Sequence, residues 1–386
     1  LVFRAPHSYT GENVVELSCH GGLYLLQRTL RAAFAAGAVP AEPGEFTKRA
    51  FVNGKVDLTG AEAVMDLISA NGRLAAKTAL AAREGAIYKK IRSVLDGLTY
   101  AAANLSAFVD YPDDDIPELE PEALDEMLKN AETELKKLID RFDAGKVVRE
   151  GIDTVIVGRP NVGKSTLMNL LAGHERSIVT PIAGTTRDIV EETIRLSDVI
   201  LRLADTAGLR STDDQVEMIG VQRAKERLER AALVIAVFDG SEPLNDDDIE
   251  LAEKASRQTS IAVINKSDKG LKIDYKYIES RFKHIVILSA ETGEGIEALE
   301  RAVSEVTGVS ALSDTEPLLS TERQRLCVVK CLDAVREARG AIEQSYTLDA
   351  VGVCIDDAIE ALLELTGERA TEAVVNKIFE RFCVGK

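Results

Sequence analysis

The stretch Gly158-Arg-Pro-Asn-Val-Gly163-Lys164-Ser165 has the spacing G-x-x-x-x-G-K-S and lies between a Val/Ile-rich run and a helical pattern. Glycines at such positions let successive backbone N–H groups turn onto an anion, and the helix start behind them adds positive potential. Lys164 would reach the β- and γ-phosphates of a nucleotide, and Ser165 would help hold Mg²⁺. Asn161, Val162, Gly163 and Thr166 would complete the cradle. Further along, Asp205, Thr206, Ala207 and Gly208 form D-T-A-G at the end of a second apolar run. Asp205 can enter the Mg²⁺ shell, and the N–H of Gly208 can meet a γ-phosphate. Asn265, Lys266 and Asp268 spell N-K-x-D after another run, and Ser289-Ala290 follows the next one. A carboxylate at 268 can accept from the N1–H and 2-amino group of guanine. Adenine offers neither donor and would leave that carboxylate unpaired. Thr185 and Thr186 lie in a Gly-containing loop that could close on Mg²⁺. Four motifs in this order, each at a strand end, point to a guanine-nucleotide hydrolase of the Ras-like type.

Leu209 stands where many such enzymes carry a water-orienting Gln. A leucine cannot hydrogen-bond water, so another group must do so, with Asp213, Asp214, Gln215 and Glu217 as candidates in the same loop. Arg187 and Arg210 are the arginines placed to act as a finger, although both could equally sit in solvent. Asn161 could be a plain turn residue, or could help hold a monovalent cation near the transferring phosphate.

These residues need a scaffold, and the chain supplies one. From about 151, short apolar runs at Thr154–Val157, Leu201–Ala204, Leu233–Phe238, Ile261–Ile264 and Ile285–Leu288 alternate with helical stretches. Such alternation predicts a mostly parallel sheet covered by helices. On one flank Ile87, Ile91, Val94, Leu98, Leu105 and Phe108 recur at helical spacing. Leu124, Leu128, Ala131, Leu135, Leu138 and Phe142 then form the seam of a packed bundle. On the other flank Val351 to Leu363 and Val374 to Phe379 are helical. The organisation expected is a partial α+β unit over 1–53, a helical domain over 54–150 and 309–386, and an α/β domain over 151–308 inserted in it. The opening unit contains a short strand at Val14–Leu17 and a helix from Leu23 to Ala36.

Composition removes whole classes of function. With 47 Lys and Arg against 64 Asp and Glu the net charge is −17, so the chain is not a general nucleic-acid coat protein. With no Trp and 5% aromatic residues, rows of stacked bases are not the expected mode of RNA recognition. Cys19, Cys327, Cys331, Cys354 and Cys383 are odd in number with no CxxC pair, which argues against a disulfide framework or zinc site and for a reducing cytoplasm. Cys327 and Cys331 share a helix face, where packing is the expected role. No apolar run approaches the roughly 18–20 residues that span a bilayer.

Beyond the nucleotide motifs, the chain carries Ser8-Tyr-Thr-Gly-Glu12, His20-Gly-Gly22, Pro43-Gly-Glu-Phe46, Ile182-Ala-Gly-Thr-Thr-Arg-Asp188 and a terminal Phe382-Cys-Val-Gly-Lys386. With these motifs it resembles the bacterial tRNA-modification GTPase family MnmE, also called TrmE, over essentially its whole length. The tail has Val384 where members often have Ile or Leu. The resemblance implies a homodimer that works with the FAD-containing protein MnmG (GidA). Together they add an aminomethyl or carboxymethylaminomethyl group to the wobble uridine of certain tRNAs. A 5-formyl- or 5,10-methylenetetrahydrofolate would supply the one-carbon unit, and GTP hydrolysis would drive a cycle of G-domain dimerisation. It implies a K⁺ ion held by the side chains of Asn161 and Thr185 and the carbonyls of Thr180 and Ile182, in place of an arginine finger. Ser165 and Thr186 would hold Mg²⁺, and Glu217 falls on the family's water-positioning glutamate. Folate contacts fall on Glu16, Lys55 and Lys386, with a further one in a stretch before Leu1. Taken alone, Glu16 reads as an ordinary strand carboxylate and Lys55 as a solvated loop charge. Cys383 could serve near the one-carbon donor as nucleophile or orienting group, if Arg381 or Lys386 lowers its thiol pKa.

Two other readings compete. One is a regulatory GTPase that binds RNA or the ribosome without modifying it. The other is a folate-dependent one-carbon transferase with an attached nucleotide switch. The acidic charge implies that a partner supplies much of the tRNA surface.

Overall fold

A computed structural model describes residues 1–110, 121–174, 192–203, 231–313, 316–380 and 382. The chain divides into two compact units. One combines Leu1–Ser69, Lys77–Phe142 and Thr315–Lys386, and the other combines Ala70–Ala76 with Asp143–Asp314.

The first unit opens with two short antiparallel strands, β1 (Val2–Phe3) and β2 (Val14–Val15), then α1 (Leu23–Ala35). No residue of α1 is buried, and Leu23, Leu26 and Leu30 are each more than half exposed. A stretch this short covers little apolar surface of its own. Helix α2 (Glu45–Val52) and α3 (Leu58–Ser69) follow, then α4 (Arg73–Arg83), whose residues up to Ala76 are counted with the second unit, α5 (Ala86–Asp110), α6 (Pro121–Asp140) and α7 (Phe142–Glu150), which from Asp143 on belongs to the second unit.

The second unit is built on six strands: β3 (Ile152–Val157), β4 (Glu192–Leu196), β5 (Val199–Leu203), β6 (Leu233–Asp239), β7 (Ser260–Asn265) and β8 (His284–Ile287). Their order is β4-β5-β3-β6-β7-β8, and every pairing is parallel except β4 with β5. Helices α8 (Lys164–His174), α9 (Asp246–Ala255), α10 (Tyr275–Arg281) and α11 (Ile296–Val306) accompany the sheet. Strand β6 is buried along its whole length because both faces are covered. Ile235 and Val237 join Leu167 and Leu171 in one core, while Val234, Ala236 and Phe238 join Phe282 in another. The mostly parallel sheet matches the expectation. The antiparallel edge strand β4 is an addition, joined to β5 through a two-residue turn whose first residue, Ser197, has φ 56°.

The chain then returns to the first unit through α12 (Glu322–Glu343), α13 (Leu348–Thr366) and α14 (Glu372–Phe379). Leu98 and Leu105 of α5, Leu128 and Leu135 of α6, Val328 and Val335 of α12 and Ile355 and Leu362 of α13 share one core. The whole seam from Leu124 to Phe142 is buried in it, as are Cys327 and Cys331. Each buried Leu or Ile there contributes about 1.5–3 kcal/mol. The fold class, an α/β unit that interrupts a helical one along the chain, thus agrees with the sequence reading.

Candidate functional site

The candidate site forms where β3, β6, β7 and the segment after β8 end. Strand β3 stops at Val157 and α8 starts at Lys164, so residues 158–163 make the connection. Two glycines in it are sterically required. A Cβ on Gly158 would lie 2.5 Å from the carbonyl oxygen of Val237, and one on Gly163 (φ 97°) would lie 2.2 Å from Nδ2 of Asn265. Between them Asn161 takes the left-handed conformation at φ 63°, with its side chain exposed.

Lys164 is half-buried, and its Nζ donates to the carbonyls of Gly158 and Arg159, both at 2.7 Å. Burial lowers its pKa. No carboxylate contacts the ammonium among its described partners, so an anion arriving in the loop meets a charge that the fold leaves available. Ser165 and Thr166 lie in the first turn of α8 and are exposed. A hard cation takes hydroxyl and carboxylate oxygens, so Ser165 fits the chemistry of Mg²⁺.

The guanine motif packs directly on this loop. Asn265, the last residue of β7, is 2% exposed. Its Nδ2 donates to the carbonyl of Val162 at 2.8 Å, and its Oδ1 accepts from the N–H of Ala290 at 2.9 Å. Lys266, at φ 63°, donates to the carbonyl of Asn161 at 2.7 Å and to Asp239 at 2.5 Å. Asp268 is exposed, and its Oδ1 accepts from the hydroxyl of Ser289 at 2.6 Å. The second carboxylate oxygen has no described partner in the protein and suits the paired donors of guanine. The structure therefore brings together Asn161, Val162, Gly163, Lys164, Ser165, Asn265, Lys266, Asp268, Ser289 and Ala290.

Other expected residues lie outside the described residues: Thr180, Ile182, Thr185, Thr186, Arg187, Asp205, Thr206, Ala207, Gly208, Leu209, Arg210, Asp213, Asp214, Gln215, Glu217, Cys383 and Lys386. Among the described residues no group of three or more His, Cys, Asp or Glu could hold a metal ion. Glu16 and Lys55 are both exposed, and Lys55 donates to the carbonyl of Pro6 at 3.0 Å. Phe382, which opens the terminal motif, is buried with Phe379, Leu58 and Val375. A Cβ on Gly44, in the Pro43-Gly-Glu-Phe46 motif, would fall 2.8 Å from the Cβ of Phe382. Lys48 of α2 also donates to Asn376 of α14 at 2.7 Å. Two motifs far apart in sequence thus meet.

Sequence reasoning missed a second layer. Asp239 ends β6 and is 5% exposed. Its carboxylate accepts from the N–H of Ser241 at 2.9 Å and from its hydroxyl at 2.6 Å, in addition to Lys266. Burial alone would raise its pKa, but Lys266 and Ser241 outweigh that and hold it below the ordinary value. Arg159 reaches Glu242 at 2.6 Å and Asp248 at 3.2 Å, and the bond to Glu242 raises the Arg159 pKa. Asp248 sits in a capping box with Asn245 at the start of α9, and burial pushes its carboxyl up. The strand-end position of Asp239 was the one readable sign of this layer.

The model of the MnmE helical domain matches residues 58–383, and that of the GTP-binding protein TrmE N-terminus matches residues 1–55. The tRNA modification GTPase MnmE of Natranaerobius thermophilus is 43% identical across 99% of this chain and 84% of its own length. Its counterpart in Clostridioides difficile is 39% identical across 99% of this chain and 84% of its own length. Among solved structures, the G domain of the T. maritima FeoB iron transporter is 25% identical across 41% of this chain and 99% of its own length, with a TM-score of 0.31. Aquifex aeolicus Era bound to GDP.AlF4- is 27% identical across 47% of this chain and 66% of its own length, with a TM-score of 0.30.

Proposed function

This chain belongs to the MnmE family of tRNA modification GTPases, and on that premise we propose that GTP hydrolysis here drives modification of the wobble uridine of certain tRNAs. The observation that carries the reading is the seating of the guanine motif on the phosphate loop, through Asn265 to Val162 and Lys266 to Asn161. A nucleotide bound there is gripped at the base by Asp268 and at the phosphates by Lys164 and the amides of 161–165. Binding is expected to tighten a contact that already exists.

In this proposal Ser165 and Thr186 hold Mg²⁺, whose charge offsets that of the phosphates. Asn161 and Thr185 hold K⁺ with the carbonyls of Thr180 and Ile182, and its charge supplies what an arginine finger supplies elsewhere. Glu217 orients the attacking water, since Leu209 cannot. Asp205 completes the Mg²⁺ shell, and Thr206, Ala207 and Gly208 follow the γ-phosphate. The Asn161 side chain is exposed in a left-handed turn, and its amide oxygen is of the chemistry that would take a monovalent cation.

The domains proposed are 1–53 for tetrahydrofolate binding and dimerisation, 54–150 with 309–386 as the helical domain, and 151–308 as the G domain. Glu16, Lys55 and Lys386 bind the folate, and Cys383 acts beside the one-carbon unit. The partners are a second copy of the chain, the FAD protein MnmG (GidA) and tRNA. Cytoplasmic residence is also proposed. Among the described residues no helix is long and apolar enough to cross a membrane.

The test is GTP hydrolysis in KCl and in NaCl at equal ionic strength, with Asn161→Ala and Glu217→Ala alongside. A large K⁺ requirement that disappears in Asn161→Ala supports the proposal. Equal rates in the two salts would remove the cation from the mechanism and favour the regulatory reading.

A further inference from the structure

Asn161 and Lys266 are 105 positions apart, yet the ammonium of one sits on the carbonyl of the other at 2.7 Å. This contact ties the loop that would hold phosphates to the loop that would read guanine. Both residues adopt φ 63°, a conformation that non-glycine residues enter at a cost, so something must hold them there. The geometry points to Asp239. Its carboxylate is 4% exposed and lies 2.5 Å from Lys266 Nζ, so this ion pair is shielded from solvent on the carboxylate side. Charge-assisted bonds of this kind are stronger and more directional than neutral ones. The carboxylate is itself fixed by the N–H and hydroxyl of Ser241.

The backbone around Asp239 is stitched to the same loops. The N–H of Gly240 donates to the carbonyl of Asn265 at 2.8 Å, and the carbonyl of Gly240 accepts from Lys272 at 2.7 Å. A Cβ on Gly240 would fall 2.8 Å from the Asn265 carbonyl, so the approach is as close as the backbone allows. From the other side, Arg159 of the phosphate loop reaches Glu242 and Asp248. Segment 239–248 therefore meets the phosphate loop directly at Arg159 and reaches Asn161 only through Lys266.

We propose that Asp239 is a positioning residue for guanine-nucleotide binding, holding Lys266 on the Asn161 carbonyl and so fixing the distance between the phosphate loop and the base-reading loop. It acts through Lys266 and not on the nucleotide. The proposal rests on nucleotide binding at this site.

The test uses the full chain and a fluorescent GDP analogue, with unlabelled GTP as competitor. Asp239→Asn keeps the shape but presents an amide with no charge to Lys266. It is expected to weaken GDP and GTP binding about tenfold or more. In steady-state hydrolysis KM rises while kcat stays within a few-fold, because the chemical groups are untouched. Lys266→Met weakens binding by itself, and adding Asp239→Asn to it produces no further loss, since the carboxylate then has no lysine to hold. Unchanged affinity in Asp239→Asn, or losses that multiply in the double variant, would overturn the proposal. If Asp239→Asn shows no cooperative melt, Ser241→Ala is read instead. That variant frees one side of the carboxylate and is expected to weaken binding two- to three-fold, and no change would again overturn the proposal. Failure of the unaltered chain to bind the GDP analogue would sink the nucleotide-binding reading instead, and is thereby distinguished.

Discussion

Two polar clusters in this molecule are built from similar residues and do opposite things. In the helical unit Glu62 is 7% exposed and has all its partners at hand. Arg323 grips it with two bonds, at 3.0 and 2.8 Å, and Gln324 adds a third at 2.7 Å. Arg323 gives two further donors to the carbonyls of Glu364 and Leu365 at the end of α13. In the α/β unit Lys164 is half-buried, and among the described residues it meets two loop carbonyls. The first cluster is closed by the protein, and the second has no carboxylate partner among the described residues. A buried charge with all its partners fixes one packing, whereas a buried charge without one marks a place for a ligand.

Substitutions that swap the expected readouts would break this comparison. The largest effect is expected from Glu62→Ala, which strands the Arg323 guanidinium and should lower unfolding free energy by about 3–5 kcal/mol. Urea denaturation of the nucleotide-free chain measures it, and hydrolysis per folded molecule should hardly change. Next comes Lys164→Met, expected to lower kcat for GTP about 10²–10³-fold, by analogy with the loss of one transition-state donor. Its stability should be equal or higher without nucleotide, because a partly desolvated charge with no carboxylate partner among the described residues has gone.

The pH dependence of stability sharpens the same point. Burial lowers the Lys164 pKa below its ordinary 10.5, so between the folded value and 10.5 the unfolded chain binds more protons. Stability of the nucleotide-free protein should then gain a rising component with pH in that window, absent from Lys164→Met. Thermal melts of both proteins across the alkaline range would show the difference.

Asp268→Asn comes third, with an expected loss of guanine affinity of about ten- to a hundredfold and a relative gain for xanthine, whose 2-oxo group accepts where guanine donates. Competition binding with the two diphosphates decides it. The smallest effect concerns the closed core. Cys327 and Cys331 are buried, and burial pushes the Cys331 thiol up to about 12. At mildly alkaline pH the exposed Cys19 should react with a disulfide reagent in the native protein, while Cys327 and Cys331 react only after unfolding. Fast labelling of Cys331 would show that the helical core opens readily.

Much of the scaffold was readable in advance because its code is local. The seam from Leu124 to Phe142 needs only helical periodicity to declare itself, and every member is buried. Among the described residues the apolar runs marked the central strands β5, β3, β6 and β7, because such strands are covered on both faces, and also the apolar edge strand β8. Strand β4 escaped because Thr193 to Leu196 alternates with polar residues, as an antiparallel edge permits. In the site, Gly158, Lys164, Asn265 and Asp268 were legible because phosphate and guanine impose fixed spacings on loops. Arg159, Asp239, Glu242 and Asp248 were not, because an ordinary surface charge and a loop anchor look alike in sequence.

The sequence by itself determined the residue types that a guanine nucleotide needs, their order along the chain, and the periodicities of sheet and bundle. Those requirements act over a few residues, where backbone geometry and side-chain chemistry suffice. Only the tertiary structure decided which distant groups face each other. Lys266 lies on the Asn161 carbonyl, Glu62 between Arg323 and Gln324, and Phe382 against Gly44. These pairings join positions from 105 to 338 residues apart by the numbering. They exist because packing whole elements brings buried charges and close-approach glycines to the one partner that can satisfy them.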